Sequence, residues 1–223
     1  MKNKKLVLPL IFTVGIFIIV AAVFIIKKNM PCNDYMNLAE YYGESEKGYT
    51  VIAEENINKN KALYEDGHIY LDDEFVSGVL NKRFYWDANE NLLIYTTATS
   101  VIKAGLDSKT YDINKSSNTK DYVIAKLRGD KLYIALDFIK EYTALEYKTY
   151  KNPNRVVLTY KFGDKQKWVQ ADEEAKLRFE PSIKSRILID VKKKDKLRIL
   201  EENTDKSGFD KVLSESGVIG YIK

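Results

Sequence analysis

Two stretches decide the reading of this chain: "HIYLDDEFVSGVLNKRFYWDANENLLIYTT", residues 68–97, and "KLYIALDFIKEYTALEYKTYKNPNRVVLTY", residues 131–160. Laid over one another without gaps, Ile69-Tyr70-Leu71 meets Leu132-Tyr133-Ile134, Phe75 meets Phe138, and Phe84 meets Tyr147. Asn89 meets Asn152, and one inserted residue then brings Leu92-Leu93-Ile94 onto Val156-Val157-Leu158. Each copy reads as hairpin, short helix, hairpin. Asp66-Gly67 and Gly129 supply the first turns, and Asp87, Asn89 and Asn91 supply turn chemistry in the second hairpin of copy one. Phe75, Val76, Val79 and Leu80, like Phe138, Ile139 and Tyr142, fall at helical spacing. A duplicated unit of this kind buries each helix against its own strands or its twin's.

The repeat also tests the most chemical-looking residues of the chain. His68, the only histidine, precedes Asp72-Asp73-Glu74, and His68 and Asp72 would tend to share a strand face, which makes them the metal candidates. In the second copy Lys131 replaces His68, and Ala135-Leu136-Asp137 replaces the three acids, while the apolar positions persist. The acids therefore have a structural reading, as caps on free amide groups at a helix start. No cofactor is expected.

With 36 Lys and Arg against 32 Asp and Glu, interleaved, the chain lacks the basic stripe that a nucleic-acid partner would need. Sixteen tyrosines fit half-buried strands, with a sugar-binding surface as the alternative. The single Cys32 allows no internal disulfide. The charge-free run "LVLPLIFTVGIFIIVAAVFII", residues 6–26, is long enough to span a bilayer. Lys2, Lys4 and Lys5 place the short end, residues 1–5, inside, so the rest is exported and the protein sits in the cell membrane as a single-pass anchor. A cleaved signal peptide is the alternative, though its apolar core would be shorter. Residues 27–50 read as a linker, with "DYMNLAEYYG" forming a helical turn or two before Gly43.

The repeat resembles the copper amine oxidase N-terminal-like domain, also called a stalk domain, whose pattern has a strand near "v.wd"; "FYWD", Phe84–Asp87, is its nearest counterpart here. The family's proline after the first strand is absent, Asp72 and Ala135 standing in its place. The resemblance implies antiparallel strands with short helices over residues 51–168 in an exported bacterial protein. It implies neither bound copper nor oxidase activity.

Beyond it, short strands with Ser/Gly/Asp turns favour a small closed β-barrel. Leu177-Arg178, Pro181-Ser182, Asp195-Lys196-Leu197, Phe209-Asp210-Lys211-Val212 and Gly217 to Ile222 make residues 171–223 similar to a bacterial SH3-like domain. Lys194 departs from its turn glycine, and Phe209 from its frequent tryptophan. The resemblance makes Phe209, Tyr221 and Arg178 the ligand-binding candidates, with peptidoglycan or an anionic wall polymer as partner. The lysine turn "KKKDK", residues 192–196, is either a solvated turn or a contact for such a polymer.

The expected fold is thus an N-terminal transmembrane helix, an α+β two-repeat stalk-like domain and a C-terminal all-β SH3-like barrel. This order resembles the non-catalytic front of exported family 18 glycoside hydrolases of Gram-positive bacteria. No G-x-S-x-G, H-E-x-x-H or phosphate-loop pattern occurs, and Cys32 and His68 lie in separate contexts. The expectation is therefore a non-enzymatic, membrane-anchored extracellular protein positioned at the cell wall. The alternatives are a truncated or split family 18 glycosidase and a surface assembly or signalling protein with a protein partner.

Overall fold

A computed structural model describes residues 19–27, 29–44, 48–162 and 166–223. Helix α1 (Leu38–Tyr42) starts at Asn37, whose side chain accepts from the Ala39 amide, and stops at Gly43, where φ is 77°. Strands β1 (Gly48–Ala53), β2 (Asn56–Glu65) and β3 (His68–Asp72) lead into α2 (Asp73–Phe75), which continues as a π turn over Val76–Leu80. Strands β4 (Phe84–Asp87), β5 (Leu92–Thr96), β6 (Val101–Gly105), β7 (Thr110–Ile113) and β8 (Ser116–Thr119) form a meander. The second copy follows as β9 (Ala125–Arg128), β10 (Lys131–Ala135), α3 (Leu136–Tyr142), β11 (Glu146–Tyr150) and β12 (Arg155–Thr159). The chain ends with β13 (Lys167–Gln170), β14 (Ala175–Arg178), β15 (Ile187–Val191), β16 (Lys196–Glu201), β17 (Asp210–Ser214) and β18 (Ile219–Ile222).

The strands make three sheets: β11-β12-β1-β2-β3-β10-β9, β4-β5-β6-β7-β8 and β13-β16-β17-β18-β14-β15. Local chemistry sets the hairpins. Asp66 and Gly67 both have positive φ at the β2–β3 turn, as a tight hairpin of right-twisted strands requires. At the β4–β5 turn Asp87 accepts from the Asn89 and Glu90 amides, and Asn91 is left-handed.

The two copies meet along β3 and β10, which pair antiparallel with Leu71 opposite Ile134. These are the residues that the repeat aligns on each other, so a local two-fold axis passes between them. Tyr70 opposite Ala135 and Asp72 opposite Tyr133 obey the same symmetry. The closing hairpins break it. β5 pairs with β6, whereas β12 lies parallel to β1, with Val51 on Val156 and Ile52 on Val157.

That parallel pair is buried on both faces. Val51, Ala53, Val156 and Leu158 enter the core shared by the seven-stranded sheet, the meander and α2 and α3. Ile52 and Val157, on the opposite face, join a second core with Met36, Tyr42, Leu177, Val212 and Ile219. The unbroken apolar runs "VIA" and "VVL" are what two-sided burial of adjacent strands demands.

The expected fold class is corrected on three counts. The described chain is mostly β, with α1, α2 and α3 all short. No membrane-crossing helix is found: among the described residues no helix is long and apolar enough, and residues 6–18 of the expected 6–26 span lie outside those described. Nor do the C-terminal strands close into a barrel, because β13 and β15 stand at opposite ends of their sheet. The edge of β15 is taken by the segment before α1: Met36 N donates to Ile187 O at 2.7 Å and Ile187 N to Asp34 O at 2.9 Å. Residues read as a linker thus complete a sheet edge and bury Met36 and Tyr42.

Candidate functional site

His68 and Asp72 are placed by the local axis. His68 Nδ1 lies 3.3 Å from Asp137 Oδ2, its ring 5.0 Å from that of Tyr122. Asp72 is buried, its Oδ1 accepting from the Glu74 and Phe75 amides, while Oδ2 meets Lys131 Nζ at 3.3 Å. The opening basic residue of each central strand therefore reaches an acid at the start of the other copy's helix. This explains why histidine and lysine occupy matching positions. The structure does not bring His68 and Asp72 to a common site, and no group of three or more metal-ligating side chains occurs among the described residues.

The three candidates near the C terminus are mainly packed within the fold. Arg178 is buried and donates from Nη1 to the carbonyls of Cys32 (2.9 Å) and Ser185 (2.7 Å), tying the N-terminal segment to β14. Phe209 is buried at the start of β17. Tyr221 pairs with Arg178 across the β14–β18 ladder and is half-buried; burial, then Glu201, Asp205 and Glu180, push its phenol up. Arg128, beside the β9–β10 turn, is engaged as well, its Nε donating to Glu65 Oε1 at 2.9 Å.

A more open site lies where the sheets meet. A cleft of about 290 Å³ runs between the edge strand β11 and the β13–β16–β17 end of the six-stranded sheet, lined by Lys140, Tyr147, Lys148, Tyr150, Trp168 and Glu215. It opens into a depression lined by Lys148, Trp168, Gln170, Lys196 and Glu215. Trp168 is 50% exposed. Its strand, Lys167-Trp168-Val169-Gln170, explains why: Val169 packs on the second core, so strand alternation turns Trp168 outward.

On the opposite wall the Tyr147 hydroxyl donates to Asp137 Oδ1 at 2.6 Å. Burial first, then that carboxylate, push its phenol up to about 12. Lys140 Nζ lies 5.7 Å from the centre of the same ring. The lysine turn is anchored beside β13: Ala171 N donates to Asp195 O at 3.0 Å and Lys194 N to Ala171 O at 2.8 Å. Lys192, Lys193, Lys194 and Lys196 are exposed there. Of these lysines Lys196 lines the depression, with Lys148 and Glu215, and Trp168 is common to the depression and the cleft. Trp168, Tyr147 and Lys148 are absent from the sequence-based candidates. The one legible signal is the tryptophan in an alternating strand, which places an aromatic ring on the wet face.

Comparison with curated proteins and with solved structures gives no significant match. The expected SH3-like segment, residues 171–223, lies outside the stretch that matches a known family model. That stretch, residues 51–159, holds both repeats from β1 to the end of β12 and matches the copper amine oxidase N-terminal domain, a non-catalytic domain of those enzymes.

Proposed function

We propose that this is a non-enzymatic binding protein that holds an anionic polymer of the cell wall in the groove around Trp168. The observation that carries the reading is an exposed indole that lines one depression with Lys148 and Lys196, next along the chain to the exposed lysine turn at 192–194. An aromatic face stacks on the apolar side of a polymer unit, and the lysines meet its negative charges. Clefts between packed units are common ligand positions. The matched domain, non-catalytic in copper amine oxidases, serves here as the rigid frame that holds β11 against the six-stranded sheet.

The test is co-sedimentation of the full chain with purified Gram-positive wall, before and after the anionic polymers are stripped from it. Binding is expected to need those polymers, to fall as salt rises toward 1 M, and to weaken about tenfold in Trp168→Ala, the effect of losing a central aromatic anchor. Equal binding to stripped wall would overturn the reading. A protein partner is the second reading, favoured by β11 and β13, which stand at sheet ends beside this groove and offer open edges for strand addition.

A further inference from the structure

The repeat that builds the Trp168 groove builds a second pocket. Between α2 and β4 lies a cavity of about 410 Å³, lined by Asp73, Ser77, Lys82, Phe84, Tyr85 and Trp86, with Leu93 and Ile134 also contributing. The repeat sets Ser77 on Lys140, Phe84 on Tyr147 and Tyr85 on Lys148, and all three partners line the groove at β11; the strand registers set Leu93 on Val156, one residue from the position that the sequence alignment gives it. The helix and the strand that follows it thus contribute matching positions to both clefts. In the second copy the six-stranded sheet makes the far wall, whereas no residue of that sheet lines the cavity of the first.

The chemistry of the two clefts differs. Lys140 and Lys148 of the second copy are replaced by Ser77 and Tyr85, Leu136 by Asp73, and Thr149 by Trp86. The helix backbone differs too, as a π turn over Val76–Leu80 stands beside the pocket where α3 is α-helical. Such widened turns often accompany binding sites. Trp86 Nε1 is buried and has no hydrogen-bond partner among the described residues, while the residue itself lines the pocket.

We propose that this first-repeat pocket is a separate ligand site that takes a neutral sugar ring. The reasoning is one of matching groups. Phe84, Leu93, Ile134 and the Trp86 ring provide apolar surface, Asp73 an acceptor, and Ser77 and Lys82 donors. A sugar ring offers an apolar face together with hydroxyls that both donate and accept. An anionic ligand would meet Asp73 with Asp72 and Glu74 beside it, and a wholly apolar one would leave Asp73 and Lys82 unmatched. Burial, then the charges of Asp72 and Glu74, push the Asp73 carboxyl up, in keeping with an enclosed site. The proposal does not depend on what binds at Trp168.

The chain has two tryptophans, so Trp168→Phe leaves Trp86 as the sole indole reporter. The probe is a neutral N-acetylglucosamine tetramer, with a glucose tetramer as a second, titrated into the full Trp168→Phe chain. A saturable change in Trp86 emission, with protection from acrylamide quenching, is expected for at least one of them. Adding Asp73→Asn should weaken it at least tenfold. Ser77→Lys, which installs the second copy's residue, should do the same and keeps the test decisive if Asp73→Asn unfolds the chain. No Trp86 response to either tetramer at millimolar concentration, or a response that both folded variants retain, would overturn the proposal. Wall binding lost in Trp168→Ala bears on the other groove alone.

Discussion

Glu54 ties three separate parts of the chain together. It sits at the β1–β2 turn, where its Oε1 accepts from the Tyr160 and Lys161 amides, both at 2.7 Å. Its Oε2 meets Arg198 of β16 at 3.0 Å, both side chains being almost wholly buried. Removing one member leaves the other charge in a dry interior, so Glu54→Ala should cost about 3–5 kcal/mol in urea unfolding. The paired change Glu54→Met with Arg198→Met should cost much less, because no buried charge is stranded. A second residue-scale prediction concerns acid. Arg128 first, then Lys126, hold the Glu65 carboxyl down at about 2. A carboxyl lowered on folding contributes stability that is complete above its ordinary value of 4.5 and is lost as pH falls toward 2. Glu65→Gln should therefore flatten the stability-versus-pH curve in that window, measured by urea midpoints from pH 5 to pH 2. None of these partners was legible from local sequence, since Arg198 and Arg128 lie far along the chain from the acids they meet.

At the scale of elements, caps and turns were the readable part. Asp72 was expected to cap a helix start and does so, and Asp66-Gly67 was expected to close a hairpin and does so. Asp72→Ala should cost about 0.5–2 kcal/mol for the lost cap, with some further loss at Lys131, seen as a lower urea midpoint. The β17–β18 turn was readable as a glycine turn, but not what it touches. Gly217 has φ of 70°, and a Cβ there would come within 2.5 Å of the Tyr150 ring on β11. Gly217→Ala should therefore cost more than the roughly 1–2 kcal/mol of a left-handed alanine. Tyr150→Ala in the same chain should recover the steric part of the loss, which a double-mutant cycle measures.

At the scale of the whole molecule, the two cores share one pair of strands. β1 and β12 send alternate residues to each, and Tyr42, whose hydroxyl accepts from the Ile219 amide at 2.9 Å, joins the segment before β1 to the six-stranded sheet. The protein should accordingly unfold in one transition. Trp86 reports the first core and Trp168 the β13 edge, so Trp86→Phe and Trp168→Phe chains, each read by its remaining indole and by circular dichroism, should show internally coincident midpoints. Separated midpoints would mean independently unfolding units. What the sequence determined by itself is the set of local units: the duplicated hairpin–helix–hairpin order, the turn residues, the caps and the alternating strands. Each depends on φ/ψ preferences and spacing within a few residues. Tertiary structure alone decided that the copies meet about a local axis, that β12 runs parallel to β1, that residues 34–36 occupy the β15 edge, and where both clefts fall. Those outcomes arise from burying two faces of one sheet at once, a condition that no short stretch of chain contains.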